Sequence, residues 1–427
     1  MRIILITLAM VLVACGGGGS EKSCETSAQC TQQAPYCSAE ACVATCAGDT
    51  ECPGFGQSAA DKFCVSGSCA TCRVGMDDCA GATPVCDMGQ CRRCERNDEC
   101  ASGACASDGT CVPEASIAYV SPNGSATAMC TKADQCTLTR GVQLAPPRQF
   151  VVLASGTHAL PASLTVAGTR SLIGTGMARP IITNSGTGPI IKLALGADVT
   201  FEHVELTGAK NTAGAIDAFA VQCPDGNITV RVKDAVVSNN AAAGIDGRKC
   251  TVEISTSTFN NNGQAVAIVD SKAKIDRSMF VLNQTALFLD AGLFVVTNSF
   301  VIRNQEGIDL FANAGTVIEH NTIADNSMYG ARCQSFDGPL QFPNNLFARN
   351  TQNTPNLLDC SFPNSIMAGT DIGPVKFKSP DAAPFDYHIT AGSSALDLAA
   401  AGAVTVDFDG EPRPAGAASD VGADELH

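Results

Sequence analysis

Apolar residues recur in a fixed phase through the middle of the chain. Val232, Val237 and Asn240 set the pattern. It returns as Ile254, Phe259 and Asn262; Ile275, Phe280 and Asn283; Val296, Val301 and Asn304; Ile318, Ile323 and Asn326; and Phe342, Phe347 and Asn350. Each set reads apolar, four residues, apolar, two residues, Asn. The asparagines follow one another at 22, 21, 21, 22 and 24 residues. A period of this size describes stacked units, none of which can bury its apolar side alone. One unit accommodates three strands of roughly three to five residues with turns between. Val, Ile and Phe supply the strands, and Asn, Thr and Ser the turns. A slip of one residue would carry the whole apolar set into water, so the register is strongly specified. Ile318 and Ile323 therefore point inward, with Val317 and Glu319 flanking the first and His320 and Asn321 turning the chain. The asparagines are placed either to stack as side-chain amide ladders or to serve as exposed turn residues.

Upstream, Thr137 to Ala145 reads as a short helix with Leu138, Val142 and Leu144 or Ala145 toward one side, stopped by Pro146 and Pro147. A strand over Phe150 to Leu153 and a turn at Ser155, Gly156 and Thr157 follow. A helix ahead of the first strand protects a stack of coils from edge pairing. The coil pattern resembles the right-handed parallel β-helix of the pectate-lyase-like superfamily. That resemblance implies an all-β fold over residues 117–379.

Sixteen of the 23 cysteines lie between Cys24 and Cys111. They form four sets of four: Cys24, Cys30, Cys37, Cys42; Cys46, Cys52, Cys64, Cys69; Cys72, Cys79, Cys86, Cys91; and Cys94, Cys100, Cys105, Cys111. Glu51, Asp78 and Glu99 each precede the second cysteine of their set. Apolar residues are sparse here, so residues 24–112 require staples rather than a core. Two disulfides per set are expected; first-to-third with second-to-fourth is one arrangement among those the sequence leaves open. Cys69 with Cys72 and Cys91 with Cys94 have zinc-knuckle spacing, but they fall at junctions between sets and no His lies in the segment, which favours disulfides. The spacing resembles the Cys-rich repeats of myxobacterial surface proteins. Val112 to Ser116 reads as a linker. Cys130 with Cys136 closes a small loop. Cys223 with Cys250 and Cys333 with Cys360 are each spaced to join adjacent coils.

The first residues, MRIILITLAMVLVAC, place Arg2 before an apolar run from Ile3 to Val13. The run is too short to span a bilayer and reads as a signal peptide over residues 1–14. Leu12, Val13, Ala14 and Cys15 resemble a bacterial lipobox, which implies lipidation of Cys15. Residues 15–23, with Gly16 to Ser20, then form a flexible tether. Gly16 after the cysteine implies the outer membrane. The expected localisation is the bacterial envelope, with the lipid as the contact to the membrane.

The tail, residues 380–427, carries Asp386-Tyr387-His388-Ile389, Gly392 to Asp397, Asp407-Phe408-Asp409-Gly410-Glu411-Pro412-Arg413 and Asp420-Val421-Gly422-Ala423-Asp424-Glu425. It resembles the C-terminal signature of the β-helix family called choice-of-anchor Q. The resemblance implies a tail that completes the coil stack, and it implies no single activity.

Charge and chemistry narrow the function. The formal net charge is −15 with only 16 % charged residues, which argues against nucleic acid and against docking on anionic lipid. Trp is absent and Tyr numbers 4, so aromatic surface for sugar stacking is scarce. The five histidines are scattered, with no zinc-hydrolase pair, and no GxSxG elbow occurs. Gly174-Thr175-Gly176 is followed by Pro180 rather than a helix that could receive a phosphate, so it reads as a turn. No cofactor or metal is implied. The coil region holds neither Asp-Asp nor Gly-His-Gly. One outward row remains: Asp217, Asp246, Ala267, Phe288, Asp309, Arg332 and Asp359. Asp217 with Asp246 would share a proton or cation, and Asp309, Arg332 and Asp359 would form an ion-pair triad or a sugar site. The alternative is a solvated strand face with balanced charge. The sequence therefore points to a structural or adhesive module that binds polysaccharide or protein. A carbohydrate-active lyase or glycoside hydrolase is the second reading.

Overall fold

The computed structural model describes residues 36–38, 41–52, 61–76, 78–336, 338–354, 360–368 and 374–427. Cys15 and the leader lie outside the described residues, as does Asp359. Two compact units result: one within residues 1–95 and 106–111, the other within 96–105 and 112–427.

In the first unit, hairpins replace a core. Tyr36–Ser38 pairs with Ala41–Val43, Phe63–Val65 with Ser68–Ala70, and Val85–Asp87 with Gln90–Arg92, all antiparallel. Ser66-Gly67 and Met88-Gly89 turn two of them with positive φ at both residues, the geometry of a two-residue hairpin that twists with its strands. Gly89 is required twice over, since a Cβ there would fall 2.7 Å from that of Ala70. Disulfides run Cys46–Cys64, Cys52–Cys69, Cys72–Cys86 and Cys79–Cys91. In both sets the first cysteine joins the third and the second joins the fourth, tying each hairpin to the loop before it. Cys94, Cys100, Cys105 and Cys111 are also disulfide-bonded, so the zinc-knuckle spacings hold no free thiol pair. The acidic residues cap the loops: Glu51 accepts the Ala47 amide at 2.7 Å, and Asp78 accepts the Arg73 amide at 2.9 Å.

The second unit takes in Arg96–Cys105, which the sequence had grouped with the other cysteine sets. Hydrogen bonds account for the difference. Tyr119 donates its hydroxyl to the Ser102 carbonyl at 3.0 Å, Lys132 donates to Ala101 at 2.9 Å, and the Val112 amide donates to Ala104 at 2.9 Å.

The coils of this unit build three parallel sheets. The first runs from Ile117–Ser125 and Phe150–Leu153 through Ile228–Lys233 and Cys250–Ser255 to Cys360–Ser361. The second has ten strands, from Thr157–Leu160 to Ile366–Ala368. The third includes Phe219–Cys223, Ala243–Arg248, Gln264–Val269, Glu306–Ala312 and Tyr329–Ser335. Strand Thr285–Thr297 passes from the third sheet into the first, with a bulge between Asp290 and Gly292. The inward residues named by the repeat, from Val232 to Phe347, are all buried. Phe259 and Phe280 stack with centroids 5.2 Å apart. This is a right-handed parallel β-helix preceded by a disulfide-rich region.

Single left-handed residues make the corners. Between the first and second sheets they include His203, Asp234, Thr256, Arg277, Asn298, His320, Asn344 and Asn364; between the second and third they include Asn239, Asn261, Leu282, Arg303, Asp325 and Arg349. Such a conformation is unfavourable for a residue such as Leu282. What holds it is the next residue. Asn240, Asn262, Asn283, Asn304, Asn326 and Asn350 form a continuous amide ladder, each Nδ2 donating to the next Oδ1 at 2.9–3.1 Å. The same Oδ1 atoms accept backbone amides, as Asn283 does from Asn262. Buried turn amides are thereby satisfied one coil after another. The other corner carries a second ladder through Ser257, Ser278, Ser299, Asn321 and Asn345. The sequence placed Asn321 in a turn and did not register this ladder, because three serine hydroxyls give way to two asparagine amides along it.

A helix covers the first coils, and the tail covers a side of the stack. Helix Leu138–Val142, capped by the Thr137 hydroxyl, packs Leu138 and Val142 into the first coils. The tail does not complete the stack as a further coil, correcting the expectation. Phe377–Ser379 and Asp386–Ile389 form their own antiparallel pair. Tyr387 and Ala423 cover Val281, Phe300, Ile302, Ala324 and Ala348 on the outer side of the second sheet. These outward residues are apolar, and the tail removes them from water. Arg303 donates to the Pro380 carbonyl at 2.7 and 3.0 Å, and Tyr387 donates to Asp325.

Candidate functional site

Strand pairing places Asp246, Ala267, Phe288, Asp309 and Arg332 side by side on five successive coils of the third sheet. Asp217 is not in this row. The residue paired with Asp246 is Gln222, and Asp217 lies before the strand, where it accepts the Thr212 amide at 2.7 Å. The loop ahead of Phe219 is longer than the repeat allowed, which displaced the register count. The shared Asp217–Asp246 proton or cation therefore has no basis in the pairing. Asp359 lies outside the described residues.

Asp309 and Arg332 form a two-pronged ion pair, Arg332 Nε to Asp309 Oδ1 at 2.8 Å and Nη2 to Oδ2. Asp309 is 2 % exposed while the Arg332 side chain is 40 % exposed, so a buried acid holds a solvent-facing cation. The guanidinium lies 5.4 Å from the Tyr329 ring centroid and 5.7 Å from that of Phe311, within cation–π range. Its partner Asp309 holds it firmly in the charged form. Phe288 and Phe311 have centroids 6.4 Å apart. Tyr329 pairs with Glu306 across the strands. Its hydroxyl is buried without a hydrogen bond, and burial raises its pKa. Glu306 accepts the Thr285 hydroxyl at 2.9 Å. Sequence reasoning missed Glu306, Phe311 and Tyr329, although the register that gave Asp309 and Arg332 also gives these neighbours.

The chemistry open to this strip is narrow. Asp246 is partly buried, with its carboxyl pKa raised by burial. It stands three coils from Asp309, about 14 Å at a strand spacing of about 4.8 Å. A hydrolytic carboxylate pair needs about 5–9.5 Å. Both oxygens of Asp309 are engaged by Arg332. The strip offers a cation, partly exposed aromatic faces and hydrogen-bond acceptors rather than a paired acid and base.

A cavity of about 680 Å³ elsewhere in the second unit is lined by Ser102, Tyr119, Val152, Thr175, His203 and Lys233, among others. Its charged groups are engaged: His203 Nδ1 lies 2.7 Å from Asp234 and Nε2 lies 3.0 Å from the Gly176 carbonyl, while Lys233 pairs with Glu202 at 2.9 Å. With acceptors at both ring nitrogens, His203 organises the corner and has no nitrogen directed at a reactant. Among the described residues, no helix is long and apolar enough to cross a membrane.

Residues 218–366 match the family described as right handed beta helix region. No curated protein matches the chain. Among solved structures, the chain is similar to pectate lyase Pel9A at 13 % identity and a TM-score of 0.47, over 73 % of this chain and 96 % of that one. It is similar to a rhamnogalacturonan lyase at 12 % identity and a TM-score of 0.42, covering 62 % and 91 %. It is also similar to the GH136 lacto-N-biosidase of Eubacterium ramulus at 10 % identity and a TM-score of 0.35, covering 58 % and 68 %. At this level of similarity the likenesses assign no activity.

Proposed function

We propose that the chain is a lipid-anchored envelope module whose third-sheet strip binds a polysaccharide. The observation carrying this reading is the Arg332 guanidinium, fixed by Asp309 and flanked by Phe311 and Tyr329, with Phe288 beside Phe311. A fixed cation beside aromatic rings suits a sugar face with an acidic or hydroxyl substituent. The engagement of both Asp309 oxygens favours binding over hydrolysis. In this reading Cys15 carries the lipid, Gly16 to Ser20 the tether, and the outer membrane is the site of anchorage. The C-terminal tail keeps its resemblance to the choice-of-anchor Q family. The test is titration of the purified chain with neutral and acidic polysaccharides, together with assays of reducing ends and unsaturated uronides. Binding without product, lost in Phe311→Ala, supports the proposal. Absence of binding across the panel rejects it.

A second reading, a carbohydrate-active enzyme, draws on the buried Tyr329 hydroxyl beside Glu306. Product formation that disappears in Tyr329→Phe would favour it.

A further inference from the structure

Three separate segments of the C-terminal tail converge on one point. His388 belongs to strand Asp386–Ile389, Asp409 to the turn after Asp407, and Asp424 to the last residues of the chain. One imidazole nitrogen and one oxygen from each carboxylate lie within 4.8 Å of one another. His388 Nε2 is 2.9 Å from Asp409 Oδ2. That nitrogen is buried and makes no hydrogen bond. Its opposite nitrogen, Nδ1, stands 2.5 Å from Asp386 Oδ1. With the ring N–H on Nδ1 toward Asp386, the Nε2 lone pair would face the other two carboxylates. Phe300 and Phe408 contact the imidazole edge-on, with centroids 5.3 and 5.9 Å away, and fix the ring plane.

Asp424 is 5 % exposed, and its Oδ2 accepts the Ile389 amide at 2.6 Å. A buried carboxylate beside a second carboxylate favours a positive charge at this point, which either the imidazolium or a bound ion can supply. Lys378 pairs with Asp386, at 3.2 Å, and the Arg413 guanidinium is committed to Glu425, at 2.9 Å.

We propose that His388 Nε2, Asp409 and Asp424 form a divalent transition-metal site, with Asp386 as the outer carboxylate that orients the imidazole. Ligand atoms around Zn²⁺, each at about 2.0–2.2 Å, stand about 3.3–3.6 Å apart; here Nε2 and Asp409 Oδ2 are 2.9 Å apart and all three ligand atoms lie within 4.8 Å of one another, so small side-chain shifts would admit the ion. One nitrogen and two carboxylate ligands suit zinc or a neighbouring transition ion, with water completing the shell. Calcium takes oxygen ligands and is disfavoured by the imidazole. A carboxylate behind a metal-bound histidine is the usual outer-shell arrangement. The ion would tie the end of the chain to strand Asp386–Ile389, and so clamp the tail over the second sheet. This site is independent of the third-sheet strip.

The test uses the purified full chain after chelator treatment and dialysis. Calorimetric titration with ZnCl₂ should show one ion per chain and an upward shift in Tm, with CaCl₂ giving neither. Asp409→Asn should weaken zinc binding at least tenfold, and Asp386→Asn should weaken it while keeping the stoichiometry. Asp409 is half exposed, and circular dichroism checks that its variant is folded. The His388 side-chain ¹⁵N resonances require no variant: Nε2 should move on zinc addition. An unmoved Nε2, or zinc affinity unchanged in folded Asp409→Asn, overturns the proposal.

Discussion

The two units solve the same problem with opposite means. In the cysteine-rich unit, hairpins of three-residue strands bury few large side chains, and covalent bonds restrict the unfolded chain instead. In the coil unit every repeat contributes inward Val, Ile or Phe residues to one continuous core. Two buried ladders then satisfy the corner amides. Disulfides occur there too, at Cys130–Cys136, Cys223–Cys250 and Cys333–Cys360, but they join elements that the core already holds. The consequence of losing a cysteine pair therefore depends on its surroundings. A similar loss of free energy unfolds a unit with little reserve and leaves a well-packed one standing.

The largest expected effect lies in the ladder. Asn283→Ala should destabilise the coil unit by about 4 kcal/mol. It removes a side chain that accepts the Asn262 amide and donates to Phe259, Val281 and Asn304, and each buried orphan costs about 1–3 kcal/mol. Denaturant unfolding monitored in the β-sheet signal measures it; a loss below about 1 kcal/mol would mean the ladder is incidental.

Deleting one bridge from each unit should separate their behaviours. Cys52→Ser with Cys69→Ser opens a loop with a sequence separation of 17, and Cys223→Ser with Cys250→Ser one of 27. Each should cost about 3 kcal/mol. Limited proteolysis should then cut the first unit in native buffer, while the coils of the second stay protected. Equal protection of both units would break the contrast.

Acid should act on the coil unit through His320. Its ring is buried at a corner beneath the tail, accepts from Asn344 Nδ2 at 3.2 Å, and has its pKa lowered to about 4 by burial and then by Arg413. Since the folded value lies below the ordinary value of about 6.5, the unfolded chain binds the proton first as pH falls. Stability is therefore fully present above about pH 6.5. It should decline by about 3 kcal/mol on the way to pH 4. Urea midpoints at pH 7 and pH 4.5, with His320→Gln as the control that flattens the slope, check the sign.

The smallest effect concerns the candidate strip. Arg332→Ala should cost about 1–3 kcal/mol, more than an exposed pair would, because it leaves the buried Asp309 carboxylate without a partner. The double change Arg332→Ala with Asp309→Ala should recover part of that loss. If the single variant is neutral in chemical denaturation, Asp309 is hydrated in solution.

Much of the coil was legible because its signal is local and repeated. Val232 through Phe347 declared which side is inward, and the asparagine spacing declared the period. The 27-residue spacing of Cys223 with Cys250 and of Cys333 with Cys360 matched a coil with a loop. Period alone also placed Asp246, Phe288, Asp309 and Arg332 in one row. It failed at Asp217, where a longer loop breaks the count. It could not show that Asp309 is buried, since burial depends on Arg332 and on the aromatic rings of neighbouring strands.

Sequence by itself determined the parallel stack, its register and the need for staples in the cysteine-rich segment. These follow from alternation of side chains along a strand and from a shortage of apolar residues. Tertiary structure alone decided where the tail goes, because its covering of Phe300 and Ile302 depends on two surfaces far apart in the chain. It alone brought His388, Asp409 and Asp424 together, since no fixed spacing relates residues delivered by separate segments. It also decided that Arg96–Cys105 belongs with the coils, through hydrogen bonds from Tyr119 and Lys132 that no local pattern encodes.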